Sequence, residues 1–140
     1  MSSDEPSDVW YSYAIVRVVP RVERGEYVNV GVVLFVRELR YLAARIELVP
    51  PRLLALAPDL DLALVERHLA SFVAICDGRP DGGPLADLPP AERFHWLTAP
   101  RSTMIQTSPA HVGRTLDPAA ELDRLLDAYV RPPRQPQVLP

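Results

Sequence analysis

Three arginines, Arg17, Arg101 and Arg114, give the chain its clearest means of binding chemistry, because a guanidinium grips a phosphate or carboxylate through two parallel hydrogen bonds. The plainer use of each is a surface salt bridge with one of the 18 acidic residues. A nucleophile, base and orienter can also be written down as Ser102, His111 and Glu26. His111 follows Ser108 and Pro109 in a segment that reads as a loop, where a general base can sit. Ser102, however, lacks the G-x-S-x-G setting that exposes a serine on a tight elbow. The three histidines, His68, His95 and His111, are far apart and have no metal-ligand spacing, so no metal is expected.

All 15 basic residues are Arg and none is Lys. That excludes a Schiff-base lysine, a P-loop lysine and a Ser-x-x-Lys pair. The lone cysteine, Cys76, has no disulfide partner in the chain and lies on an apolar helix stripe, which reads as a core thiol. No cofactor is expected.

The stretch "RGEYVNVGVVLF" (24–35) raises a different question. Asn29 and Gly31 interrupt a run of aliphatic residues, although Asn and Gly are depleted from strands. Around it, "YSYAIVRVV" (11–19), "YVNVGVVLFV" (27–36) and "YLAARIEL" (41–48) alternate like three strands of an antiparallel meander. The even positions, among them Val28, Val30, Val32, Leu34 and Val36, should form the core face. Simple register then sets Arg17 opposite Asn29, Ile15 opposite Gly31, Glu47 opposite Gly31 and Arg45 opposite Val33. The odd face would gather Arg17, Asn29, Arg45 and Glu47 around a glycine gap where a ligand can approach the sheet. The competing reading is a solvated face with Gly31 marking a bulge. Tyr11, Tyr13 and Phe35 share that odd face and make it too apolar to leave in water. A helix of the same chain, the C-terminal tail or a second subunit would have to cover it, so these three are the candidate interface residues.

The remaining elements frame those strands. "PPRLLALAPD" (50–59) reads as a short helical turn stopped by Pro58, and "DLALVERHLASFVAICDG" (61–78) as a helix of about four turns, with Asp59 or Asp61 as its cap and Gly78 placed to end it. Pro89 or Pro90 starts a short helix through "AERFHWL". "STMIQTS" (102–108) is a candidate fourth strand, and a helix begins with Asp117 as cap and Pro118 at its first position. The expectation is one α+β domain over residues 10–130, an antiparallel sheet of three to five strands with helices packed on one face. Residues 1–9 read as a flexible tail, and residues 131–140, with four Pro and a P-x-x-P match at Pro133–Pro136, as an extended tail.

The net charge of −3 and the absence of a basic half argue against a nucleic-acid partner. No apolar run approaches the roughly 18 residues of a membrane span, and "MSSDEPSD" lacks the basic and apolar regions of a secretory signal. A cytoplasmic location is expected.

Together, "YSYAIVRVVPRVERGEYVNVGVVLF" and "PRSTMIQTSPAHVG" resemble the two motifs of a bacterial family, domain of unknown function 3037. The resemblance runs over roughly Trp10 to Val130 and singles out Glu26, Asn29 and Gly31 in the first motif and Arg101, Ser102 and Gln106 in the second. It implies no activity. It hints at a partner, because some members are encoded beside HipA-like kinase relatives. Two functions from different classes follow. One is a non-enzymatic accessory or interaction module, which binds a second copy or a protein partner. The other is a small-anion or nucleotide-binding protein or enzyme, with a pocket between the Glu26/Asn29/Gly31 strand and the Arg101/Ser102/Gln106 segment.

Overall fold

The computed structural model describes residues 7–133. The strands are β1 (Val9–Val18), β2 (Val28–Val36), β3 (Tyr41–Ile46), β4 (Ile105–Thr107) and β5 (His111–Thr115), and the helices are α1 (Pro50–Leu56), α2 (Leu62–Cys76), α3 (Pro90–Thr98) and α4 (Pro118–Tyr129). All pairings are antiparallel, in the order β3-β2-β1-β4, with β5 also on β1. The architecture is the expected antiparallel α+β sheet, open at both edges, but helices cover both of its faces rather than the one expected. Among the described residues no helix is long and apolar enough to cross a membrane.

The even-numbered residues of β1, Ala14, Val16 and Val18, face α1, α2 and α3, where they join Leu53, Val65, Leu69, Phe72, Phe94 and Leu97 in one core. Asp61 caps α2 by accepting from the Leu64 N–H. Cys76 is buried in this core, and burial pushes its thiol up to about 12, so it stays protonated and inert. The other face is covered too. Leu122, Leu125 and Leu126 of α4 pack on Tyr11, Ile15, Val32, Leu34 and Val36. Each fully buried leucine contributes about 1.5 to 3 kcal/mol. The apolar odd face therefore finds its cover within the chain, and α4 supplies it.

Simple alternation fails in β2 at one place. Val16 pairs with Gly31 but Arg17 with Asn29, which leaves Val30 as an extra residue. Val28 and Val30 face α1 to α3; past the bulge Val33 and Phe35 take that side, while Val32, Leu34 and Val36 turn toward α4. The slip corrects three expected pairs: Gly31 faces Val16 rather than Ile15, and Ile46 rather than Glu47, and Arg45 faces Val32 rather than Val33. Gly31 is required because a β-carbon there would stand 2.5 Å from the Arg45 carbonyl oxygen and the Ile46 side chain.

A second bulge splits the β1 edge. Between the pairs Val16 with Thr107 and Tyr13 with His111, the three residues Ser108, Pro109 and Ala110 lie opposite only Ala14 and Ile15. The Ile15 amide donates to Ser108 Oγ at 2.8 Å, and the Ser108 amide donates to the Ile15 carbonyl at 2.8 Å. A buried side chain thus replaces a missing rung of the ladder. β5 was not expected; His111 opens a strand where the sequence suggested a loop. β1 begins at Val9, inside the expected tail, and Asp8 accepts from Arg114 at 2.8 Å. Most of the P-x-x-P match lies outside the described residues.

Candidate functional site

The first motif builds a turn and a junction. A 3-10 turn over Val22–Arg24 ends at Gly25, whose φ of +70° is left-handed, and Arg24 pairs with Glu26 beside it. Glu26 lies in an open depression with Arg21, Glu23 and Leu56. Asn29 donates from Nδ2 to the Tyr129 carbonyl at 3.0 Å, and Arg52 donates to the Val130 carbonyl at 2.8 Å. Both bonds satisfy carbonyls that a helix end leaves open, so Asn29 serves as a cap for α4.

Arg17 lies between Asn29 and Gln106, its register partners on β2 and β4, with its guanidinium 4.2 Å from the centre of the Tyr27 ring. Arg17 Nε and Asn29 Oδ1 are buried without a hydrogen-bond partner among the described residues. Gln106 donates to the Thr103 carbonyl at 2.8 Å, which folds its amide along the loop before β4. Glu47 receives a two-pronged bond from Arg131, at 2.9 and 2.8 Å, and Asp123 also accepts from that guanidinium at 2.8 Å. This network, joined by Arg45, fastens the end of α4 to β3 and holds Glu47 below the usual carboxylate range, the Arg131 bond being the main cause.

The second motif divides. Arg101 folds back on α3: Nε donates to the Ala99 carbonyl at 3.4 Å, Nη2 donates to the Trp96 carbonyl, and the guanidinium lies 4.3 Å from the Trp96 ring centre. Ser102 is exposed in the loop that follows. His111 is exposed on β5, its ring centroid 5.4 Å from that of Tyr13, which in turn lies 6.3 Å from Tyr129. No hydrogen bond joins Ser102, His111 and Glu26 among the described residues, because Glu26 is paired with Arg24 and His111 rests on Tyr13. Of the expected ligand residues, the fold gathers Arg17, Asn29 and Gln106, assigns Gly31 to the bulge and Glu47 to the α4 clamp, and sets Arg101 in a different cavity from Glu26.

The candidate interface residues also divide. Tyr11 is buried against α4 and donates to Glu121 at 2.6 Å; Phe35 is buried on the other face, stacked on Phe94; Tyr13 is half-buried. Helices of this chain already occupy the places an interface was expected to fill.

Two cavities flank α3. One, of about 450 Å³, lies between α2, the end of α3 and the approach to β4, with Arg101 and Trp96 at its rim. The other, of about 530 Å³, has the stacked Phe35 and Phe94 at its floor and Trp10 and Val112 at its walls. Trp10 and Val112 are 56% and 65% exposed, beside the open edge of β5. Sequence reasoning missed Trp10, Val112 and Trp96. The alternation of "HVGRT" was the one signal for β5, and Trp96 is distinguished only by its five-residue distance from Arg101.

An open antiparallel sheet, helices on both faces and two clefts astride one helix define a small single-domain α+β protein. The chain belongs to the family described as Protein of unknown function (DUF3037), whose sequence model matches residues 13–130. No curated protein and no solved structure matches it significantly.

Proposed function

We propose that the chain is a non-enzymatic protein-interaction module, that its working surface is the outer edge of β5 with the cleft beside it, and that its occupant is a second copy of the same chain. The observation that carries this reading is the exposure of Trp10 and Val112 next to an unpaired strand edge. Natural edge strands are usually blunted by charge, proline or cover, because their open amides and carbonyls recruit other strands. Here the proline and the bulge interrupt the edge only at Pro109, and β5 beyond it stays open.

The sequence of β5 suits pairing with itself. Antiparallel pairing about Gly113 sets Val112 of each copy opposite Arg114 of the other, on the sheet face that carries Trp10. Arg114 is already neutralised by Asp8 at 2.8 Å and lies 5.0 Å from the Trp10 ring centre, so its stem can meet an apolar residue without an unpaired charge. Such an interface is two-fold and self-complementary, the commonest closed arrangement. The test is sedimentation equilibrium of the wild type, of Val112→Lys and of Trp10→Asp, with thermal melts to confirm folding. A wild-type dimer that becomes a folded monomer in both variants supports the reading. A wild type that stays monomeric, a dimer that survives both changes, or binding only to a different protein overturns it.

A further inference from the structure

We propose that the cavity between α2, the end of α3 and the approach to β4 binds a small organic carboxylate with an apolar body, its anionic end on Arg101 and its body between Phe72, Leu97 and Ile105. The site lies on the other side of α3 from the β5 cleft and does not depend on the dimer.

The lining separates into two parts. Phe72, Ile75, Leu97, Met104 and Ile105 form an apolar interior, while Arg101, His68, Ser71 and Thr103 supply its polar groups. Among the described residues no acidic side chain lines the cavity. The rim is therefore cationic at Arg101 and carries nothing to repel an anion. A volume of about 450 Å³ falls within the range of small-molecule sites, which combine apolar walls with a few fixed polar groups.

Arg101 is set in place before any ligand arrives. Its Nε and Nη2 are tied to the Ala99 and Trp96 carbonyls, and its plane rests on the Trp96 ring. Nη1 makes no hydrogen bond, and the guanidinium has no carboxylate partner, among the described residues. Burial without a counter-charge lowers its pKa from the ordinary value, a cost that a bound carboxylate would remove. A preset, unpaired guanidinium over an apolar cavity suits a monoanion with a hydrophobic body better than inorganic phosphate, which would leave the interior unfilled.

The experiment is calorimetric titration of the full chain with phenylacetate and octanoate, alongside benzyl alcohol and inorganic phosphate, and with the Trp96 indole signal followed by NMR. The expected result is saturable binding of one or both carboxylates, a shift of the indole signal, and affinity at least about tenfold weaker for the alcohol and for phosphate. Arg101→Gln should lose binding about tenfold or more while keeping a cooperative melt. Ser71→Tyr, an exposed helix position at the mouth, should block binding without disturbing the charge. Failure of both carboxylates to bind, equal binding of benzyl alcohol, or unchanged affinity in both variants overturns the proposal.

Discussion

Gly31 and Arg45 are in backbone contact close enough to forbid a side chain: a β-carbon on Gly31 would stand 2.5 Å from the Arg45 carbonyl oxygen. The obstacle is the backbone of β3, which is held by its pairing with β2 and cannot swing aside as a side chain can. Gly31→Ala is expected to destabilise the protein by about 2 kcal/mol or more, as overpacking of a well-filled site does. Urea unfolding measures it, as a fall in midpoint. An unchanged midpoint would show that the bulge at Val30 relaxes freely.

Ser108 is buried, 3% exposed, and its hydroxyl accepts the Ile15 amide at 2.8 Å. Ser108→Ala leaves that amide without a partner, at a cost of about 1 to 3 kcal/mol. Ser108→Thr keeps the oxygen and should recover part of the loss. Hydrogen exchange at Ile15 gives the local readout: the alanine variant should exchange faster at that amide than the wild type.

Glu47 provides a pH test of the α4 clamp. Its folded-state pKa is lowered from the ordinary 4.5, chiefly by the Arg131 hydrogen bond. A depressed carboxylate pKa contributes stability that is present above the unfolded value and lost as pH falls through the folded value. Glu47→Gln should therefore melt below the wild type at pH 7, and the difference should narrow as pH falls below about 4.5. The effect is modest, since the pair is about one-third exposed to solvent. Thermal melts at a series of pH values decide it; a difference that is constant with pH would mean the clamp works through packing.

Much of the fold was legible because it depends on local rules. Asp117 followed by Pro118 marks the start of α4, and the Asp117 carboxylate accepts the Ala120 amide as such a cap should. The alternation of β1 to β3 gave the meander for the same reason. Register was legible only up to Gly31, since a single inserted residue reverses every later side chain and is set by contacts with Arg45 and Ile46 on another strand. The Asn29 question had a long-range answer, a carbonyl at Tyr129 one hundred residues away. The candidate site was less legible. Arg101 was singled out by its motif, but its neighbours His68, Ser71 and Phe72 come from a helix that sequence spacing reads only as core.

Tyr11 joins β1 to α4 through its hydroxyl, which donates to Glu121 at 2.6 Å while Arg124 holds the same carboxylate. Its ring also occupies the space beside Gly113, where a β-carbon would lie 2.5 Å from the hydroxyl oxygen. Burial first, and then the bond to Glu121, push the phenol from 10.0 up to about 12. A raised pKa favours the neutral, folded form; the stability it gives is full below pH 10 and is lost as pH rises toward 12. Tyr11→Phe removes both contributions. At pH 7 it should cost about 1.5 to 3 kcal/mol, the range for a hydrogen bond to a charged group. Between pH 9 and 12 the wild type should lose stability faster than the variant, so their urea midpoints converge. Parallel curves over that range would mean that the Tyr11 phenol titrates as if it were in water, and that its hydrogen bond to Glu121 does not hold α4 to the sheet.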